Sequence, residues 1–230
     1  MKATERAELW SALNDIEDWL GGGARRERRE PDFAAAETAA RATFADDNLD
    51  RIAAEVEACR ACRLGDTRRR SVPGQGPAAP IAMVVGEAPG AEEDASGLPF
   101  VGPAGKLLDK MLASIGLSRE TNCFIANVVK CRPPLNRDPQ ADEQAACLGY
   151  LRRQIALLKP RALLCVGRIA AGALLDTTEG VGRLRGSWHE FAGLPLLVTY
   201  HPSALLRDDT YKRPAWEDLK TFRDKLAVLG

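Results

Sequence analysis

The fold is decided by one stretch, Val85–Asp109, which reads VGEAPGAEEDASGLPFVGPAGKLLD. A short apolar run, Ile81–Val85, leads into it and predicts a buried strand. Apolar residues then recur at helical spacing over Lys106–Ile115, which predicts a helix. The long loop between them combines glycines, which let backbone approach a ligand closely, with prolines, which stiffen the path. A loop of this length inside a compact domain usually has a function, so the stretch favours a ligand pocket over an ordinary turn.

The bulk composition limits the classes of protein to consider. The chain has 230 residues, of which 45% are hydrophobic, enough for one core-bearing domain with an extension. Neither a membrane-spanning run nor a signal peptide is recognisable, so we expect a cytoplasmic protein without membrane contact. Separately, we expect a monomer. The formal net charge is zero, so any surface that binds nucleic acid must be a local basic patch.

The first 45 residues have the pattern of a helical, partly flexible extension. Leu9, Leu13 and Ile16 share one face of a predicted helix. The mixed charge run that follows, Ala24–Pro31, is typical of a solvated linker. We therefore divide the chain into an extension over 1–45, to which we assign no chemistry, and a domain over 46–230.

Four short apolar runs in the domain predict buried strands, and helical stretches alternate with them. The runs are Ile81–Val85, Cys123–Val129, Ala162–Val166 and Leu196–Thr199. This alternation predicts an α/β fold of three layers, α/β/α, around a central four-stranded parallel sheet. Gly180–His189 is a candidate for an added hairpin, in which His189 is expected to pack rather than react.

Ligands of such sheets bind beyond the carboxyl ends of the strands, which selects the residues that follow each run. His201 comes directly after a strand and is a candidate for hydrogen bonding or proton transfer. Asn127 lies in an apolar run and is either a satisfied core amide or the amide that recognises a ligand. Phe100 is either a core residue or a ring that stacks on a flat ligand. Among the acidic residues of the loop, Glu87 is the nearest to a strand.

The cysteines indicate a metal site. The chain has six cysteines and only two histidines, which excludes a centre built from several histidines. Cys59 and Cys62 form a CxxC pair, and Cys131 and Cys147 follow in polar, proline-rich surroundings. Four thiolates suit either a [4Fe–4S] cluster or zinc, and the spacing does not distinguish the two. The remaining two cysteines lie in apolar runs and are expected to be inert; they are Cys123 and Cys165.

Three motifs in order carry a resemblance to a known family. They are VVGEAPGAEEDASGLPFVGPAGKLLD, NVVKCRPPLNRDPQADEQAAC and HPSALLR. Together they resemble the family 4 uracil-DNA glycosylases, the iron–sulfur branch of that superfamily, from about Cys59 to the C-terminus. The resemblance implies an enzyme of base excision repair that hydrolyses the N-glycosidic bond of a flipped-out uracil in DNA and leaves an abasic site.

The resemblance also implies roles for individual residues. Phe100 would stack on the uracil, Asn127 would bind its polar edge, and His201 would donate towards its O2. Glu87 and Glu93 would hold or polarise the attacking water. Three further sets are implied: the cluster ligands Cys59, Cys62, Cys131 and Cys147; the pocket backbone at Gly86, Ala88, Pro89 and Gly90; and the DNA contacts Ser203, Arg207, Lys212 and Arg213.

The chain departs from the best-known branch of the superfamily at Ala88, where that branch has aspartate, so Glu87 and Glu93 are the candidates for positioning the water. One alternative is an iron–sulfur protein that binds nucleic acid without cleaving it. Another is a small-molecule hydrolase with a structural zinc. The presence of Phe100, Asn127 and His201 together favours the glycosylase.

Overall fold

The computed structural model describes residues 10–13, 16 and 47–229. Contacts divide the chain into Met1–Asp47 and Asn48–Gly230. The extension predicted for residues 1–45 lies almost wholly outside the described residues and stays a prediction, although 10–13 and 16 are helical. In the part of the chain that is described, no helix has the length and apolarity needed to cross a lipid bilayer.

The second unit is built on one mixed sheet. Its strands are β1 (Ala82–Gly86), β2 (Cys123–Asn127), β3 (Ala162–Val166), β4 (Trp188–Phe191) and β5 (Leu194–Thr199). They lie in the order β2-β1-β3-β5-β4, with β2, β1, β3 and β5 parallel and β4 antiparallel to β5. The four predicted parallel strands are confirmed, and they begin and end within two residues of their predicted bounds.

The sheet has one strand more than the sequence predicted. Strand β4 turns into β5 through Ala192 and Gly193, which both have positive φ, 52° and 79°. Two consecutive positive φ values match the right-handed twist of a tight hairpin, which explains the short connection. His189 lies in this edge strand, where its Nε2 is 2.8 Å from the Leu184 carbonyl oxygen, so it packs away from the parallel strand ends.

Helices cover both faces of the sheet. In the described unit they are α1 (Leu49–Ala58), α2 (Leu64–Thr67), α3 (Ala91–Ser96), α4 (Pro103–Ala113), α5 (Ala141–Leu158), α6 (Arg168–Leu175), α7 (Val181–Leu184), α8 (Pro202–Arg207) and α9 (Lys212–Val228), with 3₁₀ turns at Pro134–Asn136 and Asp209–Tyr211. One core cluster joins α5 and α6 to one face, and a second joins α4 and α9 to the other. The predicted three-layer arrangement is therefore confirmed.

The alternation of side chains along β1 explains the two cores. Met83 and Val85 lie in the cluster with α5, whereas Ala82 and Val84 lie in the cluster with α4 and α9. All four are completely buried. A strand buried on both faces must be apolar at every position, which is why Ile81–Val85 is a continuous apolar run rather than an alternating one.

The backbone pairing between β1 and β2 continues past the strands. Gly86 is opposite Asn127, and beyond them the Val128 N–H donates to the Gly86 carbonyl at 2.9 Å and the Val129 N–H to the Glu87 carbonyl at 3.1 Å. These bonds fix the first residues after each strand to one another. The carboxyl edge of the sheet is therefore a rigid support for the side chains that follow.

Candidate active site

A cleft of about 510 Å³ opens at the carboxyl ends of the parallel strands. Glu87 follows β1, Asn127 ends β2, Gly167 follows β3, and His201 lies two residues after β5; all of them line the cleft. The predicted residues Ala88, Pro89, Gly90, Glu93 and Phe100 also line it. The structure thus brings together residues that are up to 114 positions apart, as from Glu87 to His201.

Phe100, Asn127 and His201 form one wall. The rings of Phe100 and His201 have centroids 5.6 Å apart with an angle of 34° between their planes. Gly86 lies beneath Phe100 and Asn127 rather than on the cleft surface. A Cβ at position 86 would lie 2.5 Å from Asn127 Oδ1 and 2.5 Å from Phe100 Cζ, so both side chains occupy the space that a larger residue would fill.

The Asn127 amide is buried without hydrogen bonds. Its side chain belongs to a residue that is only 1% exposed, and neither Oδ1 nor Nδ2 has a partner among the described residues. Leaving a buried amide unpaired costs on the order of 1–3 kcal/mol per group. Because Asn127 lines the cleft, the observation favours an amide that bonds a ligand with one donor and one acceptor over a satisfied core amide.

His201 is held as a neutral imidazole. The backbone N–H of Ser203 donates to His201 Nδ1 at 3.1 Å, and the Ser203 hydroxyl lies 2.8 Å from the same atom. A backbone N–H can only donate, so Nδ1 carries no proton and Nε2 carries one. Burial and, to a smaller extent, the positive charge of Arg207 lower the pKa of His201 to about 4, although Glu93 acts in the opposite direction. Near neutral pH, His201 is therefore an uncharged donor.

Glu87 is poised to exchange a proton near neutral pH. Burial and, to a smaller extent, the negative charge of Asp138 raise the pKa of its carboxyl to about 7, although Arg168 acts in the opposite direction. Arg168 and Asp138 form an ion pair of 2.5 Å in which both side chains are more than half exposed. Such a carboxylate can accept a proton from a bound water.

Glu93 has a different environment. Its Oε2 accepts from the Gly90 N–H at 3.0 Å, and its Oε1 accepts from the N–H groups of Val101 and Gly102 at 2.9 and 3.0 Å. These three bonds tie the start of α3 to the segment that follows Phe100. Glu93 therefore holds the two sides of the loop together, and this occupies both of its oxygens.

The backbone of Phe100 is held by a buried arginine that the sequence did not reveal. Phe100 has φ 53°, a conformation that bulky residues rarely adopt. Arg119 donates to the carbonyl oxygens of Pro99 and Phe100 at 2.6 and 2.8 Å, and it pairs with Asp109 at 2.7 Å. The Arg119 side chain is 9% exposed. Its position in a polar loop, ten residues after Asp109, gives no pattern from which this contact could be predicted.

The residues predicted to contact DNA separate into two groups. Ser203 and Arg207, on α8, line the cleft. Lys212 and Arg213, at the start of α9, are exposed and do not line it. Lys212 pairs with Asp209 at 2.6 Å.

Four of the six cysteines surround one small cavity. Cys59 and Cys62 precede α2, Cys131 follows β2, and Cys147 lies on α5, yet all four line a void of about 10 Å³. The other two, Cys123 and Cys165, are completely buried in β2 and β3, as predicted. The structure therefore brings together the same four sulfurs that the sequence selected.

Donors and cations surround the four sulfurs. The backbone N–H of Lys130 donates to Cys147 Sγ at 3.2 Å, and Arg68 Nη1 donates to Cys131 Sγ at 2.9 Å. Lys130 is completely buried, and its Nζ donates to the Asn127 carbonyl at 2.8 Å. Burial raises the pKa of the Cys147 thiol to about 11, with Lys130 acting against the rise. Hydrogen-bond donors and positive charge beside several sulfurs are what thiolate ligands require.

Within the described residues, no group of three cysteine, histidine or acidic side chains stands close enough to hold a single metal ion. A four-iron cluster places its four thiolates on different irons and so spaces them more widely than one zinc ion does. Lys130 follows an apolar run and directly precedes Cys131 in the segment IANVVKC. A lysine in this position is the pattern from which a buried cation beside the cysteines could have been predicted.

Comparison with known proteins agrees with this geometry. The sequence model of the Uracil DNA glycosylase superfamily matches residues 73–220. The Type-4 uracil-DNA glycosylase of Saccharolobus solfataricus is 43% identical over 190 residues, 79% of this chain and 88% of the relative. The chain belongs to the type-4 branch of the uracil-DNA glycosylase superfamily. The resemblance stated from its three motifs is confirmed.

Two further relatives agree with the assignment to this branch. The Type-4 uracil-DNA glycosylase of Thermotoga maritima is 37% identical over 186 residues, 79% of this chain and 96% of the relative. The Type-5 uracil-DNA glycosylase of Pyrobaculum aerophilum is 34% identical over only 152 residues, 59% of this chain and 67% of the relative. The match to the type-4 relative therefore covers a larger share of both proteins than the match to the type-5 relative does.

Replacing Arg119 tests whether it positions Phe100 in this glycosylase. We expect Arg119→Gln to lower kcat/KM for uracil excision by roughly ten- to a hundredfold, because a misplaced contact in an active site costs about that much. Steady-state kinetics on a uracil-containing oligonucleotide measure the effect, and Arg152→Gln, on the exposed face of α5, is the control. Equal activities of the two variants would show that Arg119 does not position Phe100.

Proposed function

We propose that this chain removes uracil from DNA by hydrolysing the N-glycosidic bond and leaving an abasic site. The observation that carries the proposal is the buried, unpaired Asn127 amide, which lies with the Phe100 ring over Gly86 and in the same cleft as His201. A uracil offers a flat ring for Phe100 and an edge with one donor and one acceptor for Asn127. The free energy lost by the unpaired amide is recovered when such a base enters.

A base inside a duplex is out of reach of these side chains. The nucleotide must rotate out of the helix and enter the cleft, where stacking and hydrogen bonds identify it. The Asn127 amide accepts from the N3–H of uracil and donates to O4. Cytosine presents an amino group and an unprotonated nitrogen in the same places, which leaves the amide with mismatched partners, so Asn127 discriminates against cytosine.

His201 stabilises the leaving group. Cleavage of the N-glycosidic bond leaves negative charge on the uracil, with part of it on O2. The Nε2–H of neutral His201 is available to donate to that oxygen, and the Ser203 N–H on Nδ1 keeps the proton on Nε2. A fixed donor directed at developing charge is usually a large contribution to catalysis.

We assign the attacking water to Glu87. Its pKa of about 7 leaves a substantial fraction ionised at neutral pH, and a carboxylate can orient a water and accept its proton. Ala88, where the best-known branch has aspartate, has no group for this task. Glu93, with both oxygens bonded to backbone N–H groups, acts by holding the loop.

Cys59, Cys62, Cys131 and Cys147 would hold a [4Fe–4S] cluster, which the donors on their sulfurs and the nearby Lys130 and Arg68 support. Its contribution would be structural, because it would cross-link α5 to the segments around α2 and after β2. On the DNA side, we assign Ser203 and Arg207 to the phosphates beside the uracil, and Lys212 and Arg213 to the backbone further away. A monomeric, cytoplasmic protein stays a prediction.

An abasic-site assay tests the proposed function directly. We expect the purified protein to convert uracil-containing DNA to abasic DNA and His201→Ala to lower kcat by roughly 10²–10³-fold, the effect of losing one such donor. His189→Ala is the control, because the chain's other histidine lies in the edge strand. A protein that binds uracil DNA but never releases uracil would instead support the non-catalytic alternative.

The pH dependence tests the role of Glu87. A base must be deprotonated to work, so kcat should rise from pH 6 to pH 8 through the Glu87 pKa of about 7. His201, with a pKa of about 4, stays neutral over that whole range and adds no inflection. In Glu87→Gln the rate should fall and the rise with pH should disappear. A variant that keeps the same pH profile would remove Glu87 from the mechanism.

The cluster assignment can be tested by the metal content and thermal stability of the protein, independently of its enzymatic activity. We expect Cys131→Ala to lose the brown colour, the iron and the acid-labile sulfide, and to unfold at a lower temperature, because metal binding is coupled to folding. Cys165→Ala, which changes a cysteine outside the cavity, should keep the iron. A wild-type protein purified without oxygen that contains one zinc and no iron would overturn the cluster.

A further inference from the structure

Lys130 is one of the largest side chains that the described part of the fold buries completely, and it carries a charge. Its ammonium donates to two neutral oxygens, the Asn127 carbonyl and Gln154 Oε1, each at 2.8 Å. Within residues 47–229, no carboxylate forms an ion pair with it. A buried charge lowers stability, and a methionine of similar volume would fill the same space without that cost. Packing therefore does not explain a lysine here.

The ammonium of Lys130 is held in one position by its surroundings. Gln154, on α5, is only 2% exposed, and its Nε2 donates to the Pro73 carbonyl at 2.8 Å, which turns its oxygen towards the ammonium. The backbone of Lys130 is fixed as well. Its carbonyl accepts from the Val72 N–H at 2.8 Å, and its N–H donates to Cys147 Sγ at 3.2 Å. The direction in which the ammonium donates is therefore fixed too.

The bond from Lys130 fixes one end of the peptide unit that follows the Asn127 Cα. That unit consists of the Asn127 carbonyl and the Val128 N–H. The N–H donates to the Gly86 carbonyl at 2.9 Å, and the carbonyl accepts from Lys130 Nζ at 2.8 Å. A peptide unit is planar, so one bond at each end fixes its rotation and the backbone angle ψ of Asn127 with it.

The Asn127 side chain depends on its backbone for its position. Its Oδ1 and Nδ2 have no hydrogen-bond partner among the described residues, so no bond of its own holds the amide. The amide is placed by the backbone that carries it and by the Phe100 ring that lies with it over Gly86. A rotation of the backbone at Asn127 would therefore shift both polar atoms of the amide relative to that ring.

We propose that Lys130 is a positioning residue for base recognition, which holds the Asn127 amide in its binding position by donating to the Asn127 carbonyl. The inference rests on the proposed function, in which that amide binds the polar edge of uracil. Lys130 is completely buried and lines the cysteine cavity rather than the cleft, so its effect reaches the base through Asn127. A displacement of about 1 Å in an active site costs up to about a hundredfold in rate.

A double-mutant cycle between Lys130 and Asn127 tests this role. Lys130→Met removes the donor at similar volume and should lower kcat/KM for uracil excision by roughly ten- to a hundredfold. In an Asn127→Ala background the same change should lower kcat/KM by less than about twofold, because no amide is left to position. The unfolding temperature should instead change equally in both backgrounds, because alanine keeps the backbone carbonyl that Lys130 bonds.

Two further variants separate the bond to Asn127 from the other effects of the ammonium. Gln154→Met removes a buried polar group from the same network but keeps the bond to Asn127, so it should lower kcat/KM much less than Lys130→Met does. Lys130→Arg keeps the charge beside the cysteines, but a planar guanidinium does not donate from the same point. It should show the same dependence on Asn127, and it carries the cycle if Lys130→Met fails to fold or to retain iron.

Binding without turnover separates this inference from the proposed function. The probe is a duplex containing 2′-fluoro-2′-deoxyuridine, whose N-glycosidic bond resists hydrolysis. Lys130→Met should bind it roughly tenfold more weakly, the loss of one hydrogen bond to the base, but should have no such effect in the Asn127→Ala background.

Two results would overturn the role of Lys130 while uracil excision stands. One is an unchanged kcat/KM in the folded Lys130 variant, and the other is a loss by the same factor in both backgrounds, which marks a residue that only supports the fold. If the coupling appears in binding but the wild-type protein releases no uracil in the abasic-site assay, the positioning role stands and the proposed function fails.

Discussion

The site depends on the absence of a side chain at Gly86. The last residue of β1 is opposite the last residue of β2, and a Cβ there would lie 2.5 Å from both the Asn127 amide and the Phe100 ring. Only because that space is open can an aromatic ring and an amide stand side by side at the carboxyl edge. Their separation is fixed by strand pairing, the least mobile feature of the fold.

Two residues at this contact adopt states that lower the stability of the fold but suit the binding of a ligand. The Asn127 amide is buried without partners, and Phe100 has a left-handed backbone conformation that a bulky residue adopts at a cost. Other bonds hold these unfavourable states in place: Glu93 ties the loop across three N–H groups, and Arg119 holds the Phe100 carbonyl. A site kept in its binding geometry before the ligand arrives needs little rearrangement when it does.

One short segment connects the carboxyl edge of the sheet to the cysteine cavity. Asn127 ends β2, and only three residues later Lys130 turns its ammonium back to the Asn127 carbonyl, while its own N–H donates to Cys147 Sγ. Cys131 follows directly. Because the segment is fixed at both ends, whatever binds the four sulfurs also restrains the strand end that carries the amide.

The sequence alone determined the layers, the four parallel strands and the residues at their carboxyl ends. These follow from local information, because apolar runs bounded by glycine and proline define strands, and parallel topology fixes which ends face the ligand. It also selected the four cysteines that the fold places around one cavity. Tertiary structure decided the fifth strand, the unpaired state of Asn127, the tautomer of His201, and the different surroundings of Glu87 and Glu93. It alone revealed Arg119. Each of these depends on which atoms the folded chain brings into contact and which it leaves without a partner, and neither periodicity nor spacing along a chain encodes that.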